Sequence, residues 1–246
     1  MKSTTMRKGI AMIELIFAIV IMGLVLLSAP MMISTAAKSG YVALQQESIA
    51  AVSSEIGMIL THHWDEGDTN ETKSAPILTT DGNTGLNAIP VGGIDTGRRA
   101  GTVAAAQARS FFTTLGGTEP ASTVLGNDGD VDDIDDFISV PKTALSDIDP
   151  TTTSEGDYVD TNITLQTSVS YISDDPTNGA TYFGSNDNLT FNQPFSNAAA
   201  NPTSNIKMVT VTLRTTNVNT ELDKEITLNA FSCNIGVYEL NRRSFP

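Results

Sequence analysis

Residues 7–33 read RKGIAMIELIFAIVIMGLVLLSAPMMI, and Glu14 is the only charge between Ile10 and Ile33. A helix rising about 1.5 Å per residue over 10–33 crosses a hydrocarbon core of about 30 Å. Lys2, Arg7 and Lys8 precede the apolar run, and every acidic residue other than Glu14 lies beyond it, from Glu47 onward. Basic flanks stay cytoplasmic, so a single pass with a cytoplasmic N-terminus and an extracytoplasmic C-terminal domain is expected. Two features do not suit a plain anchor. An ionised carboxylate costs about 2.5–3.5 kcal/mol near a bilayer centre and less near the edge, and Pro30 removes a helical donor and is expected to bend the helix.

The rest of the chain bounds its function. It has 246 residues, 14 Lys and Arg against 28 Asp and Glu, and a net charge of -14. So acidic a chain has nothing to neutralise phosphates, which argues against nucleic acid. The one cysteine, Cys233, cannot close an intrachain disulfide; it reads as a small apolar strand residue or as a surface thiol. The only histidines, His62 and His63, point about 100° apart on a helix. They suit a helix C-terminus better than a shared metal. That leaves little material for a Ser-His-Asp or Cys-His site. No glycine-rich phosphate loop follows a strand, so the chain reads as a structural protein rather than an enzyme. Arg98-Arg99 and Arg242-Arg243 read as solvated basic pairs among acidic neighbours.

Beyond the apolar run, Ile49, Val52, Ile56, Ile59 and Leu60 recur at steps of three and four. One helix from about Ile10 to about His63, near 80 Å long, is expected. Its amphipathic half, 34–63, needs a sheet to cover its stripe. The strands come late. Val159, Ile163, Leu165, Val169 and Tyr171 share one parity. Val209, Val211 and Leu213 alternate with polar residues in a second strand, and Ile226, Leu228 and Ala230 mark a third. The switch to Phe231, Cys233 and Ile235 predicts a bulge, and Val218-Asn219-Thr220 a turn. Three antiparallel strands on one helix make an α+β fold. Residues 64–157 show one helix candidate, Val103–Leu115, between Thr102 and Gly116. Long stretches of this kind are often functional or variable. Residues 173–205 read as a second polar loop.

The string Arg7-Lys8-Gly9, then Ile10-Ala11-Met12-Ile13-Glu14-Leu15-Ile16, resembles a type IV prepilin cleavage site. That family has a basic leader ending in glycine, an apolar first mature residue and a glutamate four residues later. The resemblance implies a pilin fold: leader 1–9, membrane-spanning helix 10–33, amphipathic half 34–63 and an extracytoplasmic head 64–246. It implies cutting after Gly9 by prepilin peptidase, methylation of Ile10, and storage as a single-pass bacterial inner-membrane protein. Its head would lie in the periplasm. Its partners would be lipid, an inner-membrane assembly platform and other pilin subunits. Glu14 would pair with a neighbouring subunit's Ile10 amine and set register in a pilus, or in the pseudopilus of type II secretion. The sequence departs from the family pattern at Ile10, commonly phenylalanine, and at Ala11-Met12. Two alternatives stay open. Glu14 could be an edge carboxylate that snorkels or stays protonated. Thr35-Ala36-Ala37 has the form of a signal-peptidase site, which would make the chain an anchored or secreted binding or catalytic domain, although the apolar run exceeds the usual h-region of about 7–15 residues.

Asn127 to Phe137 holds six aspartates in nine residues. Such a run is either solvated or gathered around a hard cation. Asp128, Asp130 and Asp132 are the candidate Ca²⁺ ligands. The EF-hand pattern fails at Asp133, where glycine belongs, and at Ser139, where the bidentate glutamate belongs. The run is also similar to the acidic stretch of minor pilins of the mannose-sensitive haemagglutinin (MSHA) pilus, as are Trp64-Asp65-Glu66 and the strand from Lys207 to Leu213. The Asn-Gly usual after that stretch is replaced by Ile138-Ser139.

Overall fold

The computed structural model describes residues 6–69, 75–87, 90–91, 94–95, 97–99, 109–112, 117–138, 141–145, 162–177, 188–191, 202–216 and 225–237. The chain forms two compact units, Met1–Ile49 and Ala50–Pro246. Helix α1 covers Met6–Ile59, four residues before the expected start and four short of the expected end. It is long and apolar enough to cross a membrane by length and composition. In the first unit the large apolar side chains from Met12 to Ile33 are all exposed, Leu27 at 70%. A helix apolar all round belongs in lipid or among other helices. The helix continues through Pro30. Close by, the Ser28 and Thr35 hydroxyls donate back to the carbonyls of Val25 and Met31, each at 2.8 Å.

The last turns of α1 bury Val52, Ile56 and Ile59, three of the five positions read from the spacing, while Ile49 and Leu60 are exposed. Glu55 beside them accepts a charged hydrogen bond from Lys142 at 2.6 Å. After a short antiparallel pair, β1 (Pro90–Val91) and β2 (Ile94–Asp95), the chain builds a four-stranded antiparallel sheet. Its strands are β3 (Lys142–Leu145), β4 (Asn162–Ile172), β5 (Ile206–Thr216) and β6 (Glu225–Cys233), in the order β3-β4-β5-β6. The layout is α+β. The sheet has one strand more than the expected three: β3 is only four residues long, too short to show a period.

The long strands follow the parity in the sequence. Leu165, Val169 and Tyr171 of β4 are buried opposite the buried Leu213, Val209 and Lys207 of β5, and Ile163 is buried on the same face. The other face is wet and polar. There Thr210 Oγ1 donates to Asn229 at 2.8 Å and Thr212 faces Thr227 at 3.2 Å. The expected bulge in β6 is absent. Register runs unbroken from Ile206↔Cys233 to Arg214↔Glu225. Phe231 therefore stays on the outer face, 53% exposed, opposite Met208. A cross-strand Phe–Met pair explains an aromatic on a wet face, where parity alone suggested a shift. The Val103–Leu115 helix is corrected where it can be seen: Arg109–Phe112 are not helical, and Phe112 bridges Thr118. Its remainder, Val159 and the 218–220 turn lie outside the described residues.

This register has a measurable consequence. Leu213→Ala empties a fully buried position and is expected to destabilise by about 2–5 kcal/mol. Phe231→Ala, on the exposed face, is expected to cost under about 1 kcal/mol. Equal losses in denaturant unfolding would mean that β6 is bulged after all.

Candidate functional site

Beyond α1 the chain enters a polar cluster built around a buried cation. Lys207 lies on the inward parity of β5 with Val209, Val211 and Leu213, and its exposure is 0%. Its Nζ donates to Asp65 Oδ2 at 2.8 Å and to Asp135 Oδ1. The Trp64 ring lies 4.8 Å from Nζ and the Tyr171 ring 5.4 Å. Burial by itself would lower the lysine's pKa, but the charges of Asp65 and Asp135 outweigh it and raise it. Lys207 therefore enters its buried pocket as an ammonium.

Each carboxylate is positioned by backbone. Asp65 is also 0% exposed and caps the short 3-10 turn Glu66–Asp68. Its Oδ1 accepts from Gly67 N at 3.2 Å and Ser122 N at 3.0 Å, and its Oδ2 from the Tyr171 hydroxyl at 3.1 Å. Asp135 Oδ2 accepts from Gly126 N at 3.0 Å. Asp133 Oδ1 accepts from Asp135 N at 2.7 Å and Asp136 N at 3.2 Å. Asp136 Oδ2 accepts from the amides of Asp132 and Asp133, both at 3.0 Å. Two backbone bonds stitch the run to the helix end: His63 N to Asp132 O at 3.2 Å and Ile134 N to His63 O at 3.0 Å. Asp133, Asp135, Asp136 and Phe137 are all buried.

The acidic run is thus divided. The solvated reading fails for Asp133, Asp135 and Asp136, because peptide N–H groups and Lys207 replace the water they would lose. Asp128 and Asp130 remain exposed and Asp132 is half-buried. Repulsion from Asp132 and Asp128 raises the pKa of Asp130. Among the described residues no group of three His, Cys, Asp or Glu is arranged to hold a metal ion. Burial first, and the charge of Asp135 second, push the Asp133 carboxyl up to about 7.

Other residues singled out along the chain fall outside this cluster. His62 sits past the helix end with Nδ1 3.1 Å from Met58 O and its ring edge-on to Phe137 at 4.9 Å. His63 Nδ1 lies 3.5 Å from Asp68. Cys233 is half-buried in β6, and burial raises its pKa, which disfavours thiolate. Arg99 is not a solvated cation. It donates to Leu86 O and Asn234 O, each at 2.7 Å, and to Asn205 Oδ1 at 2.5 Å, joining three loops around the buried Asn234. Arg242-Arg243 lie outside the described residues. In the first unit, Glu14 is exposed among apolar neighbours, while the backbone of Gly9 and Ile10 is helical.

Reasoning from the sequence missed the roles of Lys207 and Asp65. A usable signal was present. Lys207 shares the parity of Val209, Val211 and Leu213, and a lysine on the apolar side of a strand must be buried with carboxylates. The chain matches no family model, and no curated protein or solved structure matches it at a significant level.

Two measurements test the cluster. Lys207→Met leaves Asp65 and Asp135 buried without their cation and is expected to cost about 3–5 kcal/mol in denaturant unfolding. A loss within about 0.5 kcal/mol, the size of an ordinary surface change, would contradict the buried geometry.

The second is pH. Asp133 holds its proton to about pH 7 when folded, whereas an unfolded aspartate releases it near 3.9. Between those values the folded state binds more protons, so stability is highest on the acid side and falls as pH rises from about 4 to about 7. Melting temperature should therefore decline across that window, and Asp133→Asn should flatten the decline. An unchanged slope in the variant would assign it to other groups.

Proposed function

We propose that this chain is a structural subunit of a type IV pilus, of the minor-pilin kind. It is made as an inner-membrane precursor, cut after Gly9 and assembled through its N-terminal helix. The observation that carries this reading is the single carboxylate, Glu14, on a helix whose large apolar side chains are exposed from Met12 to Ile33. Packed among like helices, that surface is covered. A lone carboxylate there needs a cation, and a free Ile10 amine on a neighbouring subunit supplies one. The basic leader Arg7-Lys8-Gly9 and the α+β second unit support the same reading. In this role the protein binds subunits rather than transforming a substrate. A type II secretion pseudopilus would use the same residues in the same way.

Processing and assembly are tested separately. The mature chain is expected to start at Ile10 with a methylated amine, leaving 237 of the 246 residues, and Gly9→Leu to stay uncut. A mature start at Lys38, found by N-terminal mass analysis, would identify a removed signal peptide and end the pilin reading.

For assembly, Glu14→Leu removes a polar group from hydrocarbon and should insert at least as well as wild type. It also leaves the neighbour's amine buried without a counter-charge, a loss of about 3–5 kcal/mol. The ratio of sheared filament to membrane fraction is expected to fall sharply while cleavage after Gly9 persists. An unchanged ratio would remove the assembly role from Glu14.

A further inference from the structure

We propose that Lys207 and Asp135 are the reactants of an intramolecular amide bond, formed once after folding, with Asp65 as the proton relay. The reaction lies wholly within the second unit and does not depend on the pilin reading.

The arrangement exceeds what an ion pair requires. A buried lysine needs one counter-ion, yet Nζ touches two carboxylates placed by separate segments, Asp65 after α1 and Asp135 in the 3-10 turn Asp135–Phe137. The two are held differently. Asp65 accepts from Gly67 N, Ser122 N, the Tyr171 hydroxyl and Lys207, which fixes its carboxylate beside Nζ, where a proton can be passed. Asp135 has its oxygens divided. Oδ2 is tied to Gly126 N at 3.0 Å, and Oδ1 faces the lysine. A backbone N–H on one oxygen, with the nucleophile against the other, polarises a carboxyl for acyl transfer. Trp64 and Tyr171 wall the pocket and exclude water. This opposes the reverse hydrolysis.

The step balances with these groups alone. The Lys207 ammonium passes a proton to Asp65, and the freed amine attacks Cγ of Asp135. Asp65 delivers that proton to Oδ1. The tetrahedral centre keeps its negative oxygen, Oδ2, on the Gly126 amide. The second amine proton leaves through Asp65 to the same departing oxygen, and Oδ1 is lost as water. One N–C bond forms, one C–O bond breaks, and Asp65 ends as the carboxylate it began. Neighbouring carboxylates favour the ammonium, so the amine is scarce. Fixed proximity offsets this, since well-oriented intramolecular pairs reach effective molarities of about 10⁵–10⁸ M, and the reaction need occur only once per molecule. The product joins β5 to a segment 72 residues earlier. It restricts the unfolded chain as a disulfide does, in a protein whose lone cysteine offers no disulfide within the chain.

The test is the mass of the full-length protein extracted from membranes in detergent and then denatured. Wild type is expected to be one water lighter than the sequence sharing its N-terminus. Proteolysis should give a branched peptide joining Lys207 to Asp135. Lys207→Arg and Asp135→Ala should restore the full mass, and so should Asp65→Asn, which keeps both reactants and removes the relay. Wild type at full mass overturns the proposal, whatever the variants do. So does a lost water found only in linear peptides, which would mean succinimide at Asp81-Gly82 or Asp128-Gly129. A branched peptide persisting in Asp65→Asn overturns the relay.

Discussion

The second unit folds around an ammonium, that of Lys207, with no access to water. Lys207 is fixed in β5 by the register with β4 and β6, so its Nζ cannot retreat to solvent. Desolvating a charge of that kind costs several kcal/mol unless opposite charge is delivered to it. Delivery comes from two places far apart in sequence: Asp65, just past the helix, and Asp135, in the acidic run. The loops between helix and sheet follow from this need. The acidic run folds back on itself by carboxylate-to-amide bonds, is stitched to His63, and presents one carboxylate to the lysine.

That arrangement also explains how so acidic a segment enters a core. Four carboxylates, Asp65, Asp133, Asp135 and Asp136, are buried near one lysine. Peptide N–H groups serve as the remaining counter-charge, and Asp133 keeps its proton up to about pH 7. A charge count from the sequence would make the region repulsive. Backbone dipoles and one retained proton make it cohesive. Arg99 plays the corresponding part in the other loops, where its guanidinium satisfies carbonyls that the irregular chain leaves unpaired.

The two units set different physical problems. The second solves its burial problem internally, with an apolar sheet face and a satisfied polar pocket. The first leaves its apolar surface open along the helix from Met12 to Ile33, and that surface is what a bilayer or other helices would cover. Glu14 is the counterpart of Lys207: a charge whose partner is local for the lysine and is proposed to come from a second chain for the glutamate.

Periodicity carried everything that could be read along the chain. The apolar run implied a long helix, the stripe Val52–Ile56–Ile59 its buried face, and the alternation in β4 and β5 two strands with their inner sides, because a period of 3.6 or 2 is written in consecutive residues. The N-terminal resemblance around Gly9 and Glu14 likewise rests on residues that are close neighbours in the chain. The rest came only with folding. Strand β3 was too short to show a period, and Phe231 kept its face through a neighbour, Met208, that only pairing supplies. Which aspartates of one acidic string are solvated and which are buried depended on Lys207, 72 residues beyond Asp135. Charge pairing acts through space over a few ångströms and leaves no period along the chain. Its only trace in the sequence was a lysine on the wrong side of a strand.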